Sequence, residues 1–429
     1  MSVTTVPKKG YKSVPWYYQK EIEIPEEWEV IRLKTLLEEQ NSGLHNKLEK
    51  TSLGNNIVTM TDLYTYDFID DDEFMLANFP IEIKGKKLNK QKYLLKKNDF
   101  LYIEISLVKE GVGKTSLVKK NGGEIYFAGN LRRFTIKQSL NSNFLFYFLN
   151  LDSSRNYFVN NSYTSAQTGI TMKDYFKIFV FMPPLNEQQQ IASILSNVDN
   201  LIQNTDKLIE KTTRLKKGLM QELLVKGIGH TKFKKVPWLF QKEIQIPEEW
   251  EFNKLHKFVS IQSGEYFQFN EFSEEGIPVL KIDNVMHGEV NWETKTFLNK
   301  KYLDSHKEIV LNEGDILLAL NRPVTHNQVK VARLKSGDTP SILYQRVGRF
   351  VFKNNYVRTD FFYLFVNSNF FKDILSRILI GSDQPYVRTT ELLTKHMPIP
   401  TFQEQQKIAS ILSNTDEKIQ SYKRYRQKL

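Results

Sequence analysis

Residues 9–33, KGYKSVPWYYQKEIEIPEEWEVIRL, return at 231–255 as TKFKKVPWLFQKEIQIPEEWEFNKL, an offset of 222 that sets Trp250 against Trp28. Farther on, PPLNEQQQIASILSNVDNLIQ (183–203) returns as PTFQEQQKIASILSNTDEKIQ (400–420), an offset of 217 that sets Ile408 against Ile191. Self-similarity of this kind constrains the fold more than any local propensity, because the same frame has to be built twice. It divides the chain into an N-terminal connector (1–33), a first module (34–182), a central helix (183–228), a repeated connector (229–255), a second module (256–399) and a short C-terminal helix (400–429). The connectors and helices are nearly identical, whereas the modules have diverged. A frame kept while its inserts change suits a machine whose inserts carry specificity.

The central helix is predicted to start at Asn186, behind Pro183–Pro184, with Gln189 three positions on as in a capping box. Gly227 and Gly229 stand where helices commonly stop. Between these ends the apolar positions follow heptads. Ile191 and Val198 begin one row, Ile194, Leu201, Leu208 and Leu215 form the next, and Leu195, Ile202 and Ile209 widen the stripe. About 40 residues rising 1.5 Å each make a rod of roughly 60 Å, and an apolar stripe of that length calls for a partner helix. The second copy supplies one, with Ile408, Ile411, Leu412, Ile419 and Tyr422 at matching positions. Chain order makes the expected pair antiparallel, a coiled coil joining the modules about a pseudo-two-fold axis.

Both modules read as α/β (α+β) domains of short strands and loops. GNNIVTMTDL (54–63) aligns with GIPVLKIDNV (276–285), KKNDFLYIEI (96–105) with NEGDILLALN (312–321), and Arg133–Phe134 with Arg349–Phe350. Each closes with an aromatic helix-like segment, FLFYFL (144–149) or FFYLFV (361–366), and then a polar loop, SAQTGITM (165–172) or GSDQPYVRTT (381–390).

Cysteine is absent, which excludes disulfides and thiolate metal sites, and the seven histidines show no paired ligand spacing. No apolar run approaches the ~18 residues of a membrane span, and the N-terminus lacks a signal peptide's apolar core, so a cytoplasmic location is expected. Lysine and arginine (60) exceed aspartate and glutamate (49) by 11, a balance that favours a polyanionic partner. Candidate DNA-contacting residues are Lys114, Arg132, Arg133, Lys137, Gln167 and Thr168 in the first module. In the second they are Arg322, Arg333, Arg346, Arg349, Gln384, Arg388 and Thr389. Arginine can bond two guanine acceptors in the major groove, and glutamine or threonine can meet base edges. Composition alone leaves open a coiled-coil assembly protein with no DNA role.

The repeated frames, with NEQQQIASIL (186–195) heading a long helix and LKKGLMQELL (215–224) closing it, resemble the specificity subunits of type I restriction-modification systems. The resemblance covers essentially the whole chain, although a specificity subunit of another restriction-modification class stays open as an alternative. It implies a non-catalytic chain whose two target-recognition domains each read half of a split site on double-stranded DNA. It also implies two DNA adenine methyltransferase subunits docked on the helices, with restriction-translocase subunits added to that core. S-adenosylmethionine, ATP and magnesium would then belong to the partner subunits, with no cofactor or metal held by this chain.

Two further motifs invite chemistry. GVGKTS (111–116) looks like a phosphate loop, but the full pattern needs a glycine where Val108 stands. Glu82 and Lys84, downstream of Asp70–Asp72, resemble part of a nuclease site that the second module does not repeat. A methyltransferase would need a Gly-rich donor loop and an Asn/Asp-Pro-Pro-aromatic motif, and MPPL (182–185) lacks the acceptor residue.

Overall fold

In the computed structural model, residues 9–16, 21–44, 48, 50–70, 74–80, 82–83, 86–119, 124–137, 140–164, 166–239 and 242–429 are described. Asp71, Asp72 and Lys84 of the nuclease-like triplet lie outside them. The chain divides into two compact units, Met1–Leu201 and Ile202–Leu429.

The first unit is built on strand Phe100–Ile103, which pairs antiparallel with Thr115–Val118 on one side and Leu131–Ile136 on the other. Leu37–Ser42 extends the sheet beyond Leu131–Ile136, and Phe68–Ile69 adds a parallel edge. Every residue of Phe100–Ile103 is buried, as expected of a continuous apolar run covered on both faces. One face carries a ring stack in which Tyr175 lies 3.7 Å from Tyr102 and 4.5 Å from Phe158. Helix Ser142–Asn150 supplies Leu145, Phe146, Phe148 and Leu149 to the same core.

The second unit repeats this frame at an offset of 216 (349 − 133). Its central strand Ile316–Ala319 lies between Val331–Arg333 and Val347–Phe352, with Val259–Ser263 outermost. Leu317 faces Arg349 as Leu101 faces Arg133. Helix Thr359–Val366 buries Phe361, Phe362 and Phe365 against the sheet. Even the tight points recur. A Cβ on Gly43 would stand 2.7 Å from the Gly129 carbonyl oxygen, and one on Gly264 would stand 2.3 Å from that of Leu343, so at both positions the close backbone approach favours glycine.

The connectors are integral to these units. Strand Glu29–Arg32 pairs with Phe179–Met182, and Glu251–Lys254 with His396–Ile399. Each module is thereby closed at its base, and residues 33 and 182 mark no physical boundary. The ladder leads straight into a long helix, Leu185–Lys226 in one case and Phe402–Arg426 in the other. The first begins one residue before the expected Asn186.

A buried glutamine locks each helix start. Gln188 donates to the Pro183 carbonyl (2.8 Å) and accepts the Asn141 backbone N–H (3.1 Å), the residue that caps Ser142–Asn150. Gln405 does the same with Pro400 (3.0 Å) and Arg358 (2.8 Å). Beside it, the repeated tryptophan donates to the repeated glutamate, Trp28 to Glu187 at 3.0 Å and Trp250 to Glu404 at 2.9 Å. These side-chain bonds explain why the EEW and NEQQ or QEQQ segments are the parts held constant: each needs the other to satisfy buried polar atoms.

Within the second unit, residues 202–226 of the long helix pair with Phe402–Arg426. Asp206 meets Arg426 (3.2 Å), Lys216 meets Asp416 (2.6 Å), and the Ile228 N–H reaches Glu404 (2.9 Å). Moving up one helix moves down the other, so the pair is antiparallel, as expected. Leu223, Leu224 and Val225 then enter the core of this unit beside Trp250, Ile408 and Leu412.

The packed face differs from the expected one. Ile408, Leu412 and Ile419 are buried, and Ile191, Val198, Ile202, Ile209 and Tyr422 are partly covered. Ile194, Leu201, Leu208, Leu215 and Ile411, assigned to the pair by their heptad spacing, are exposed instead, Ile194 by 64% and Leu215 by 58%. Leu195 is also at the exposed margin. Ile194 and Leu201 lie before the paired stretch 202–226, and along that stretch one partner helix covers a seam about two rows wide. The seam formed uses the rows at spacing i, i+4, and the row three residues on is left turned away.

Candidate nucleic-acid interface

At one end of each central strand the same backbone lattice holds three segments together. In the first module the Glu104 N–H donates to the Asn130 carbonyl (2.9 Å) and the Ile170 N–H to the Glu104 carbonyl (2.9 Å). In the second module Leu320 donates to Arg346 (2.8 Å) and Val387 to Leu320 (2.9 Å). The turn entering the last sheet strand, the residues leaving the central strand and the polar loop therefore meet at one edge in both modules. Gln167 and Gln384 occupy corresponding positions (384 − 167 = 217) in that loop, and both are exposed.

In the second module this edge gathers four of the candidates. Arg322 donates its N–H to the Pro385 carbonyl (2.7 Å), and Asn321 bridges Tyr386. This sets Arg322 opposite Pro385 and next to Gln384, while Arg388 follows Val387, which is bonded to Leu320, and Arg346 lies across Leu320. All four are exposed. Lys330 lies close by. Burial holds its ammonium below the usual lysine range, Asp283 opposes that shift, and the nearby charge of Arg322 adds to it. Arg333 and Thr389 are half-buried, in the outer sheet strand and the first turn of helix Thr389–Leu392.

The first-module candidates are less united. Lys137 is exposed but follows the far end of Leu131–Ile136, a strand of roughly 20 Å. Thr168 is buried, in a strand that pairs with Ile105–Ser106. Lys114 donates to the Tyr64 carbonyl (3.1 Å) and pairs with Asp67 (3.3 Å). Around it the phosphate-loop-like turn spends its backbone donors internally, Gly111 on Val108 and Gly113 on Ile103. Arg132 grips Glu104 through Nε (3.1 Å) and a terminal nitrogen (2.7 Å).

Of the arginines grouped with the DNA candidates from the sequence, Arg133 is placed in the interior and Arg349 is largely covered and committed to partners within its module. Arg133 donates to the Leu94 carbonyl (2.9 Å) and Glu39 (2.7 Å) and lies 3.5 Å from Asp99. Arg349 donates to the Val310 carbonyl (2.8 Å), Asp315 (3.2 Å), the Glu308 carbonyl (2.6 Å) and Gln262. Burial lifts the Asp99 carboxyl to about 6 against the opposing pull of the Lys96 N–H and the Arg133 charge. These two pairs tie the strands together and leave no guanidinium face for a ligand.

Sequence reasoning missed Leu107 and Val108, which follow strand Ile105–Ser106 and are 68% and 52% exposed at the first module's edge. It also missed Asn130 and Tyr386. Extending the 216 offset through the loops would have found Asn130, since it sets that residue against Arg346.

Among the described residues no helix is long and apolar enough to cross a membrane, and no group of His, Asp or Glu is arranged to hold a metal ion.

A family model described as the type I restriction modification DNA specificity domain matches residues 25–214 and again 247–429. The type I restriction enzyme MjaVIII specificity subunit of Methanocaldococcus jannaschii is 35% identical over 419 residues, covering 96% of this chain and 91% of that protein. The putative MjaX specificity subunit of the same organism is 27% identical, covering 93% and 89%. A solved type I restriction-modification S subunit from M. genitalium superposes with a TM-score of 0.53 at 16% identity, over 94% of this chain and 92% of that one. The two matched stretches coincide with the two copies of the frame, and the chain is a member of the type I restriction-modification specificity-subunit family.

Proposed function

We propose that this chain is the non-catalytic DNA-reading part of a restriction-modification assembly, each module contacting one half of a split, asymmetric site on double-stranded DNA. One observation carries the reading. A single backbone lattice is built twice, and its edge differs between the copies: exposed Arg346 stands where the first copy has Asn130, and exposed Arg322 stands where the first copy has the buried Ser106. Equal frames give equal placement on DNA, and unequal edge chemistry gives unequal half-sites. The exposed row Ile194, Leu208 and Leu215 supports docking of two adenine methyltransferase subunits on the helices. Restriction-translocase subunits would join that core. S-adenosylmethionine, ATP and magnesium belong, on this reading, to those partners.

Module exchange tests it. Replacing residues 37–178 by the corresponding stretch of another family member leaves both closing strands, Glu29–Arg32 and Phe179–Met182, in place. Mapping methylated adenines in a host carrying the chimera together with the partner subunits should show one half of the motif changed and the other intact. A motif changed in both halves, or in neither, would defeat the reading.

A further inference from the structure

The second module's edge holds two arginines in backbone conformations that arginine disfavours. Arg322 has φ +46° and Arg346 φ +66°, in the left-handed region where a Cβ crowds the following carbonyl. Arg346 is the third residue of a turn closed by the Val347 N–H on the Tyr344 carbonyl (3.3 Å), a position where glycine or asparagine is the usual resident. The turn itself gains nothing from a long cationic side chain there. Nor does the shared lattice require one, since the first module carries it with Ser106 and Asn130 at these places.

Neither guanidinium is engaged within the protein in the way Arg349 is. Among the described residues the Arg322 guanidinium reaches only the Asp383 carbonyl, at 3.5 Å, and Arg346 has no ion pair or side-chain hydrogen bond. The two are nonetheless fixed relative to each other through Leu320, two residues before Arg322, whose N–H donates to the Arg346 carbonyl. Strain retained at exposed, uncommitted side chains points to a ligand that uses them.

We propose that Arg322 and Arg346 are specificity determinants that read guanines, through O6 and N7 in the major groove, in the half-site bound by the second module. The proposal rests on the reading of the modules as DNA-binding and adds the base and the residues. A guanidinium fork matches the paired acceptors of guanine and no other base edge. A backbone held by neighbouring hydrogen bonds narrows where that fork can point. The first module has no cation at either position, and its edge there offers the apolar Leu107 and Val108. Guanine discrimination at these two places is thus confined to the second half.

The test uses the full chain with its partner subunits. Module exchange first assigns which half of the methylated motif belongs to the second module, and that half should contain guanine. Arg346→Gly and Arg322→Asn should each relax one guanine position in it and leave the first half unchanged. Affinity for a duplex carrying the motif should fall about 5- to 150-fold, the range of one bidentate base contact. Replacing that guanine by 7-deazaguanine should cost the wild type a similar factor and the matching variant nothing. Arg346→Gly should melt at or above the wild-type temperature, because glycine relieves the strained φ, so loss of reading will not reflect misfolding. A second half lacking guanine, or variants that keep the wild-type motif, would overturn the assignment. If exchange alters one half while the variants read normally, only this assignment fails; if exchange leaves the motif unchanged, the module reading fails with it.

Discussion

Affinity of the assembled protein for its DNA should fall about 10³- to 10⁵-fold between 50 and 200 mM salt, the loss expected when some 6–10 phosphates are neutralised and their counterions released. The excess of 11 positive charges is the sequence-level reason, and the structure sharpens it. Arg132, Arg133 and Arg349 are paired with Glu104, Glu39, Asp99 and Asp315, so they release no counterion on binding. The response therefore falls to exposed cations of the edge such as Arg388. Titrating a labelled duplex carrying the methylated motif against the assembled protein, by fluorescence anisotropy at several salt concentrations, gives the slope. Removing one phosphate contact with Arg388→Ala should lower it by about 0.9, whereas Arg132→Ala should leave it unchanged. An affinity indifferent to salt would rule out a phosphate-dominated interface.

Arg133→Met should destabilise its own unit by about 3–5 kcal/mol, because it leaves the buried Asp99 carboxylate and the Leu94 carbonyl without their donor. Arg349→Met should cost its unit less, because Asp315 is only partly buried. Denaturant unfolding of the full chain, followed by probes in each unit, reads this directly. The first module adds a pH dependence. Burial already lifts Asp99 to about 6 with Arg133 in place, and removing the guanidinium takes away an influence that lowers it. The folded variant therefore binds its proton at higher pH than the folded wild type. The deficit of Arg133→Met is largest at alkaline pH and shrinks as pH falls toward about 6, where a neutral carboxyl no longer needs a cation. A deficit that grows on acidification, or a variant as stable as the wild type, would contradict the internal role of the pair.

These arginines also show how far one sequence can be read. The repeat of 9–33 at 231–255 and of 183–203 at 400–420 was enough for the two-unit plan. Heptad spacing and the terminal glycines were enough for a helix of about 42 residues, because period and caps are local properties. The pairing of KKNDFLY with NEGDILL correctly matched strands later found at the centre of each sheet.

What the chain alone left undecided was which side chains face inward, since that depends on residues far away in sequence. Arg133 looked like a surface cation beside Arg132. It is interior because Asp99, 34 residues earlier (133 − 99), caps a turn on the neighbouring strand, as Asp315 does for Arg349 (349 − 315 = 34). Leu208 and Leu215 fit a packed row by spacing, yet a single partner helix covers a narrower seam than the stripe they belong to. Sequence periodicity determined the elements and their repetition. Only tertiary packing decided which of two apolar rows is buried, and which arginines are consumed by a carboxylate before any DNA can reach them.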